Sequence, residues 1–108
     1  MKREIVRWPR VGLDLTEYYE NILRDKVQPA EKFLKVAEEA FERIAMFPGI
    51  GLLWPGKRNE VHGVRCYPMP APYRSYVIFY RVKGSAVEIM AIEHGAKNLQ
   101  RIVDVLLK

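Results

Sequence analysis

The sequence predicts an α+β fold: a short N-terminal strand, an antiparallel helical hairpin packed on a mainly antiparallel four-stranded sheet, and a C-terminal helix. Three observations carry this. Apolar residues recur at helical spacing through the first 46 residues. Alternating, strand-like runs fill 61–92. An amphipathic stripe returns at the end. Its 108 residues suit one domain spanning 1–108, and about half of them are apolar, enough for one core.

Ile5-Val6-Arg7-Trp8 reads as a short strand ended by Pro9. Asp14 with Glu17 three residues on has the form of a helix N-cap. Leu15, Tyr18, Tyr19, Ile22 and Leu23 then recur as one face, which predicts a first helix over about 14–25. Pro29 suits a first helical position, and Phe33, Ala37, Ala40, Phe41 and Ile44 form the stripe of a second helix over about 29–46, stopped by Pro48-Gly49. Glu31/Lys35 and Glu39/Arg43 are spaced as ion pairs on its wet side. The short break at Lys26-Val27-Gln28 makes the two helices antiparallel neighbours.

FPGIGLLWPGKRNE, 47–60, reads as a loop whose Leu52, Leu53 and Trp54 pack over the sheet or helices, with partner binding as the second reading. A strand follows over 61–67, broken by the proline-rich 68–72. The strongest strand is 73–83, with Val77 and Phe79 on one side and Ile78 and Tyr80 on the other, so its centre is buried on both faces. Gly84-Ser85 suits a type II′ hairpin turn back into 87–92. Leu99, Ile102, Val103 and Leu106 make the stripe of the terminal helix.

The net charge of +5 is unevenly spread. Residues 1–47 hold nine basic and nine acidic side chains, whereas 48–108 hold nine basic and four acidic. A one-sided basic field attracts polyanions or acidic protein segments, although a charge of this size also serves plain solubility. No apolar run is long enough for a membrane span, and MKREIVRWPR lacks the apolar core of a secretory signal. Cys66 is the lone cysteine, which rules out an intrachain disulfide and suits the cytoplasm. Two histidines and one cysteine supply no metal-ligand cluster, and no cofactor motif is present.

The elements in this order resemble the RelE/ParE superfamily of toxins from type II toxin–antitoxin systems. YVIFYRV (76–82) is similar to the family's central strand, HGAK (94–97) to the motif that ends its last strand, and NLQRIV to the terminal helix of ParE-type members. GVR (63–65) and FPGIG (47–51) stand where similar family segments stand. The resemblance covers nearly the whole chain and lies closest to the ParE branch. It implies a plasmid-stabilising toxin that inhibits DNA gyrase by binding. A cognate antitoxin with an acidic amphipathic segment would neutralise it, and contact with DNA would be only indirect, through that antitoxin. RelE-type relatives are instead ribosome-dependent mRNA endoribonucleases that use a basic cluster and a tyrosine without a metal. Alignment to that set puts Val77 at the central-strand arginine and Val103 near the terminal tyrosine, and keeps only Lys97. Valine neither transfers a proton nor holds a phosphate.

An unorthodox nuclease would use His62 and His94 as acid and base with Arg65 or Arg81 on the phosphate, if one substrate could reach them all. A strand-end histidine such as His94 is more often a hydrogen-bonded structural residue, while His62 is placed at a strand start beside a basic loop. Arg81 reads first as an ion pair with Glu88 or Glu93. Arg65 divides evenly between such bracing and an anion-reading surface shared with Lys57, Arg58 and Arg74. Lys97, Arg101 and Lys108, on the outer side of the terminal helix, are candidate target contacts. A third reading is an inactive relic that only binds its antitoxin.

Overall fold

A computed structural model describes residues 2–108. The chain runs β1 (Glu4–Arg7), α1 (Pro9–Leu23), α2 (Val27–Met46), β2 (Leu52–Leu53), α3 (Lys57–His62), β3 (Arg65–Pro68), β4 (Tyr76–Lys83), β5 (Ala86–His94) and α4 (Leu99–Leu106). The sheet has five strands in the order β1-β5-β4-β3-β2, with β1 parallel to β5 and every other pairing antiparallel. The expected α+β layering is present. The strand missing from the expectation is β2, whose two residues are too few to show a period.

β4 is buried on both faces, as its alternation requires. Ile78 and Tyr80 face the helical hairpin with Phe33, Ala37, Phe41 and Ile44 of α2 and Val11, Leu15 and Tyr18 of α1. Val77 and Phe79 face the opposite layer with Val64, Met90, Ala91, Val103, Leu106 and Leu107. The register between β4 and β5 slips at Phe79/Tyr80, where Phe79 pairs with Ala91 and Tyr80 with Ile89. The extra residue, Met90, turns with Ala91 to the α4 side. Ile89 and Ile92, three apart, therefore both reach the hairpin side. Gly84, at φ +60°, closes the β4–β5 turn in the left-handed region that a type II′ turn needs at its first central position.

The first helix begins at Pro9, five residues before the expected start. Proline supplies the fixed φ of a first helical position and ends β1 by lacking an N–H. Asp14 is therefore not an N-cap. It is buried in the second turn, where its carboxylate accepts from the Ile92 amide at 3.0 Å. One turn on, the Tyr18 hydroxyl accepts from the His94 amide at 3.0 Å. β1 pairs with β5 only as far as Ile89, with the Trp8 amide donating to Ile89 O at 2.9 Å. Beyond that point β5 would be an edge with bare N–H groups, and two α1 side chains four residues apart satisfy them instead.

The second helix matches its expected stripe, beginning at Val27 rather than 29. Its carboxylates are used between elements rather than along the helix. Glu38 pairs with Arg7 and Glu42 with Lys2, so α2 is tied to β1. The expected Glu31/Lys35 and Glu39/Arg43 pairs do not form among the described residues. Two expectations for the middle of the chain fail together. Residues 61–64 are not strand, because α3 occupies 57–62 and ends at Gly63 in the left-handed region, φ +69°. Leu52 and Leu53 do not pack inward but stand 75% and 52% exposed, since Gly51 and Trp54 on either side take the inward positions. Trp54 packs edge-on against Phe79, as expected of it.

Asp14→Ala removes the acceptor of a buried amide and one of the two carboxylates that hold Arg10, the other being Glu93, and is expected to lower the unfolding free energy by about 3 kcal/mol. Asp14→Asn, which keeps an acceptor, is expected to lose less. Urea midpoints measure both, and hydrogen exchange should speed selectively at the Ile92 amide.

Candidate functional site

The cations divide into those consumed by the fold and those left on its surface. Arg10, in the first turn of α1, holds Asp14 through two bonds, at 3.1 and 3.3 Å, and reaches across 83 residues to Glu93 at 2.7 Å. Lys97 closes the other side of Glu93 at 3.3 Å and lies over the Tyr18 ring, 5.4 Å from its centre. Burial opposes the Arg10 charge, but the hydrogen bond and charge of Asp14, followed by Glu93, outweigh it and hold the guanidinium above its ordinary pKa. The Lys97 ammonium is likewise raised, by Tyr18 first and Glu93 second. Asp14 and Glu93 are 6% and 4% exposed, so this is a buried carboxylate pair neutralised by two cations at the rim. The Arg10–Glu93 contact was invisible in sequence. The signal that was present, an acidic residue four after Arg10 on the apolar side of a helix, admits the cap reading equally well.

Arg81 and Arg65 are also engaged. Arg81 meets Glu88 at 2.7 Å across the hairpin and lies over the Trp8 ring at 5.4 Å. Burial would raise the Glu88 carboxyl, but Arg81 overrides it and holds Glu88 below its ordinary value. Arg65 spends its guanidinium on Gly51 O at 2.8 Å. Gly51 is clamped from its other side, where its N–H donates to the Tyr80 hydroxyl at 2.8 Å and that hydroxyl donates to Pro48 O at 2.7 Å. Burial pushes the Tyr80 phenol above its ordinary value, which keeps it a neutral donor. A Cβ on residue 51 would stand 2.7 Å from Tyr80 Cε1 and 2.9 Å from Cys66 O, so only glycine fits. Cys66 is half-buried beside it, its thiol raised by desolvation.

The two histidines lie apart. His94 pairs with Tyr76 at one end of β4, stacks edge-on against it at 5.1 Å, and accepts from the Ala96 amide through Nδ1 at 3.1 Å. His62 ends α3, exposed, beside Arg81, Val82 and Lys83 at the other end. Tyr76 and Arg81 are five strand residues apart, roughly 17 Å. The expectation that His62 begins a strand is thus corrected, because Asn59 folds the preceding residues into a helical turn. Its buried amide donates to Trp54 O at 2.7 Å and Val64 O at 2.8 Å and accepts from Val64 N at 2.7 Å.

The remaining candidates fall on two surfaces. Lys57 and Arg58, in α3, line a groove of about 260 Å³ together with Gln100, Val103 and Asp104 of α4 and Leu107 just beyond it. Arg58 donates to Leu107 O at 3.2 Å, and Trp54 Nε1 to Gln100 Oε1 at 2.9 Å, which seats α4 on the loop. Arg101 follows Gln100 on α4 with its side chain exposed, while its amide is capped by Asn98 at 3.1 Å; Lys108 is exposed at the chain end. Arg74 is not part of this surface. It lies in the β3–β4 turn and shares a different groove with Arg43. Val77 and Val103 are buried in the α4-side core, 8% and 1% exposed. Among the described residues, no three His, Cys, Asp or Glu side chains converge as metal ligands, and no helix is long and apolar enough to cross a membrane.

Gly51→Ala is expected to destabilise by about 1–3 kcal/mol, read as a lowered urea midpoint, because backbone and a fixed tyrosine must give way. Glu88→Gln tests the β-hairpin pair through pH. The folded carboxyl titrates below its ordinary value of 4.5, so the pair's stabilisation is full above that value and is lost as pH falls through the lower, folded one. The stability gap between wild type and Glu88→Gln should be constant near neutrality and close on acidification.

Comparison with known proteins bears on the whole arrangement. Residues 9–99 match the family model described as the ParE toxin of the type II toxin–antitoxin system, parDE. No curated protein matches the sequence. Among solved structures, a chain of a chromosomal ParDE TA system from P. aeruginosa superposes with a TM-score of 0.68 at 20% identity, covering 86% of this chain and 96% of that one. That likeness is one of fold. The match over residues 9–99 identifies the family, and the chain belongs to the ParE toxins of type II toxin–antitoxin systems.

Proposed function

We propose that this toxin acts inside the cytoplasm as a binding poison of DNA gyrase and is neutralised by a cognate antitoxin carrying an acidic amphipathic segment. The observation that carries the reading is the fate of the ionisable groups. The arginine and tyrosine of nuclease relatives align with Val77 and near Val103, both buried in core. The two histidines stand at opposite ends of β4, too far apart for one substrate to bridge as acid and base. Arg10, Arg81 and Lys97 are paired with carboxylates, and Arg65 with a carbonyl. What is left outward-facing around α4 is a set of cations, Lys57, Arg101 and Lys108, beside an Arg58 that is exposed but bonded to Leu107 O, suited to gripping a macromolecule rather than to transferring protons.

The antitoxin side of the reading rests on apolar exposure. Met46, Phe47, Leu52 and Leu53 are about half or more exposed along one stretch from the end of α2 into β2. A partner segment alternating apolar and acidic residues would cover them while matching the basic second half of the chain.

The test is expression without an antitoxin. The DNA-damage response should rise while transcripts stay intact, and purified protein should retain gyrase. Lys57→Glu with Arg101→Glu, both at exposed positions whose side chains hold no partner among the described residues, should weaken gyrase binding by about tenfold or more without changing the unfolding midpoint. Cut transcripts with an untouched damage response would replace this reading by ribosome-dependent mRNA cleavage.

A further inference from the structure

One pair of cations is used neither by the fold nor by the reading above. Arg43, in the last turn of α2, and Arg74, in the turn entering β4, line a single groove of about 400 Å³ together with Tyr67 and the segment Pro68, Met69, Pro70 and Ala71. Neither guanidinium hydrogen-bonds or pairs with any group among the described residues, and no carboxylate lines the groove. Six other arginines are engaged, Arg7, Arg10 and Arg81 by carboxylates and Arg3, Arg58 and Arg65 by carbonyl oxygens, while Arg24 and Arg101 face solvent singly. Even Glu39, one helical turn before Arg43, does not close on it. Two like charges on one concavity repel, and an anion between them relieves both.

The walls narrow the choice of anion. Tyr67 is half-buried, packed against the hairpin-side core, and also lines the groove. Pro68 and Pro70 offer no N–H, and beside the two cations the groove is lined by Tyr67 and the segment 68–71. Two planar, forked donors suit a phosphate, and an aromatic flank beside them suits a flat heterocycle. We propose that this groove binds a nucleoside phosphate, either free or as one unit of a single strand, with Arg43 and Arg74 on the phosphate and Tyr67 against the base. The site is separate from the α4 surface and does not depend on gyrase being the target.

The experiment is an NMR titration of the full chain with AMP, ribose 5-phosphate, an adenine tetranucleotide and a glutamate-rich peptide. AMP should move the amides around Arg43, Tyr67 and Arg74 saturably and bind about tenfold tighter than ribose 5-phosphate, the difference being base stacking. The pair of substitutions Arg43→Gln and Arg74→Gln, both at exposed side chains, should weaken AMP at least tenfold at unchanged stability. Tyr67→Leu should bring AMP down to ribose 5-phosphate, and Tyr67→Phe should restore the difference. Tighter binding of the tetranucleotide than of AMP assigns the strand as the ligand, and equal binding assigns the free nucleotide. Absence of saturable shifts with both AMP and tetranucleotide overturns the proposal. So does AMP binding that survives the double arginine substitution, and so does displacement of AMP by the glutamate-rich peptide at lower concentration than by the tetranucleotide, which would mark the groove as a seat for acidic protein.

Discussion

The rest of the molecule is arranged around the unpaired half of one strand. β5 is nine residues long but its parallel partner β1 is four, because Pro9 cannot extend the ladder. The amides of Ile92 and His94 would then be buried without acceptors. Asp14 and Tyr18, one helical turn apart on α1, supply them. Meeting that need puts a carboxylate in the core, and the carboxylate requires Arg10. Arg10 in turn reaches Glu93 on the same strand, and Lys97 completes the set. The helical hairpin is thereby locked to the sheet in one register by directional bonds, where apolar packing alone would tolerate sliding.

The sheet divides two cores of different character. Toward the hairpin lie the large aromatic and aliphatic groups, with Phe33, Tyr73 and Tyr76 meeting edge to face. Toward α4 the core is smaller, and its outer wall is a helix of eight residues held by side-chain bonds from the 54–59 loop. A short helix with few core neighbours is the cheaper element to displace. The loop beneath it is held by single residues, Asn59 with three hydrogen bonds and Gly51 with its close approach to Tyr80. The cations around α4 are thus presented from a braced platform.

Electrostatics then separates structural from available charge. A guanidinium whose donors are committed has little left for an external anion, and desolvating it further would cost free energy without a new partner. This sorts the basic half of the chain into Arg58, Arg65, Arg81 and Lys97, which hold the fold, and Lys57, Arg74, Lys83, Arg101 and Lys108, which face solvent.

Elements with a repeating pattern were legible in the residues: α2 and α4 from their apolar stripes, β4 from burial on both faces, the β-hairpin from Gly84-Ser85, and the family from motifs spread over 47–103. The period of side chains along a helix or strand is a local property, so the amino-acid order alone determines it. Tertiary structure decided the rest. The start of α1, the identity of Asp14 as an edge acceptor, the helical turn at 57–62, the outward Leu52 and Leu53, and the joining of Arg10 to Glu93 and of Arg43 to Arg74 all depend on partners distant in the chain. A carboxylate near a helix start has the same appearance whether it caps its own helix or the edge of a strand 78 residues away, because the nearest unsatisfied amide is known only once the chain has folded.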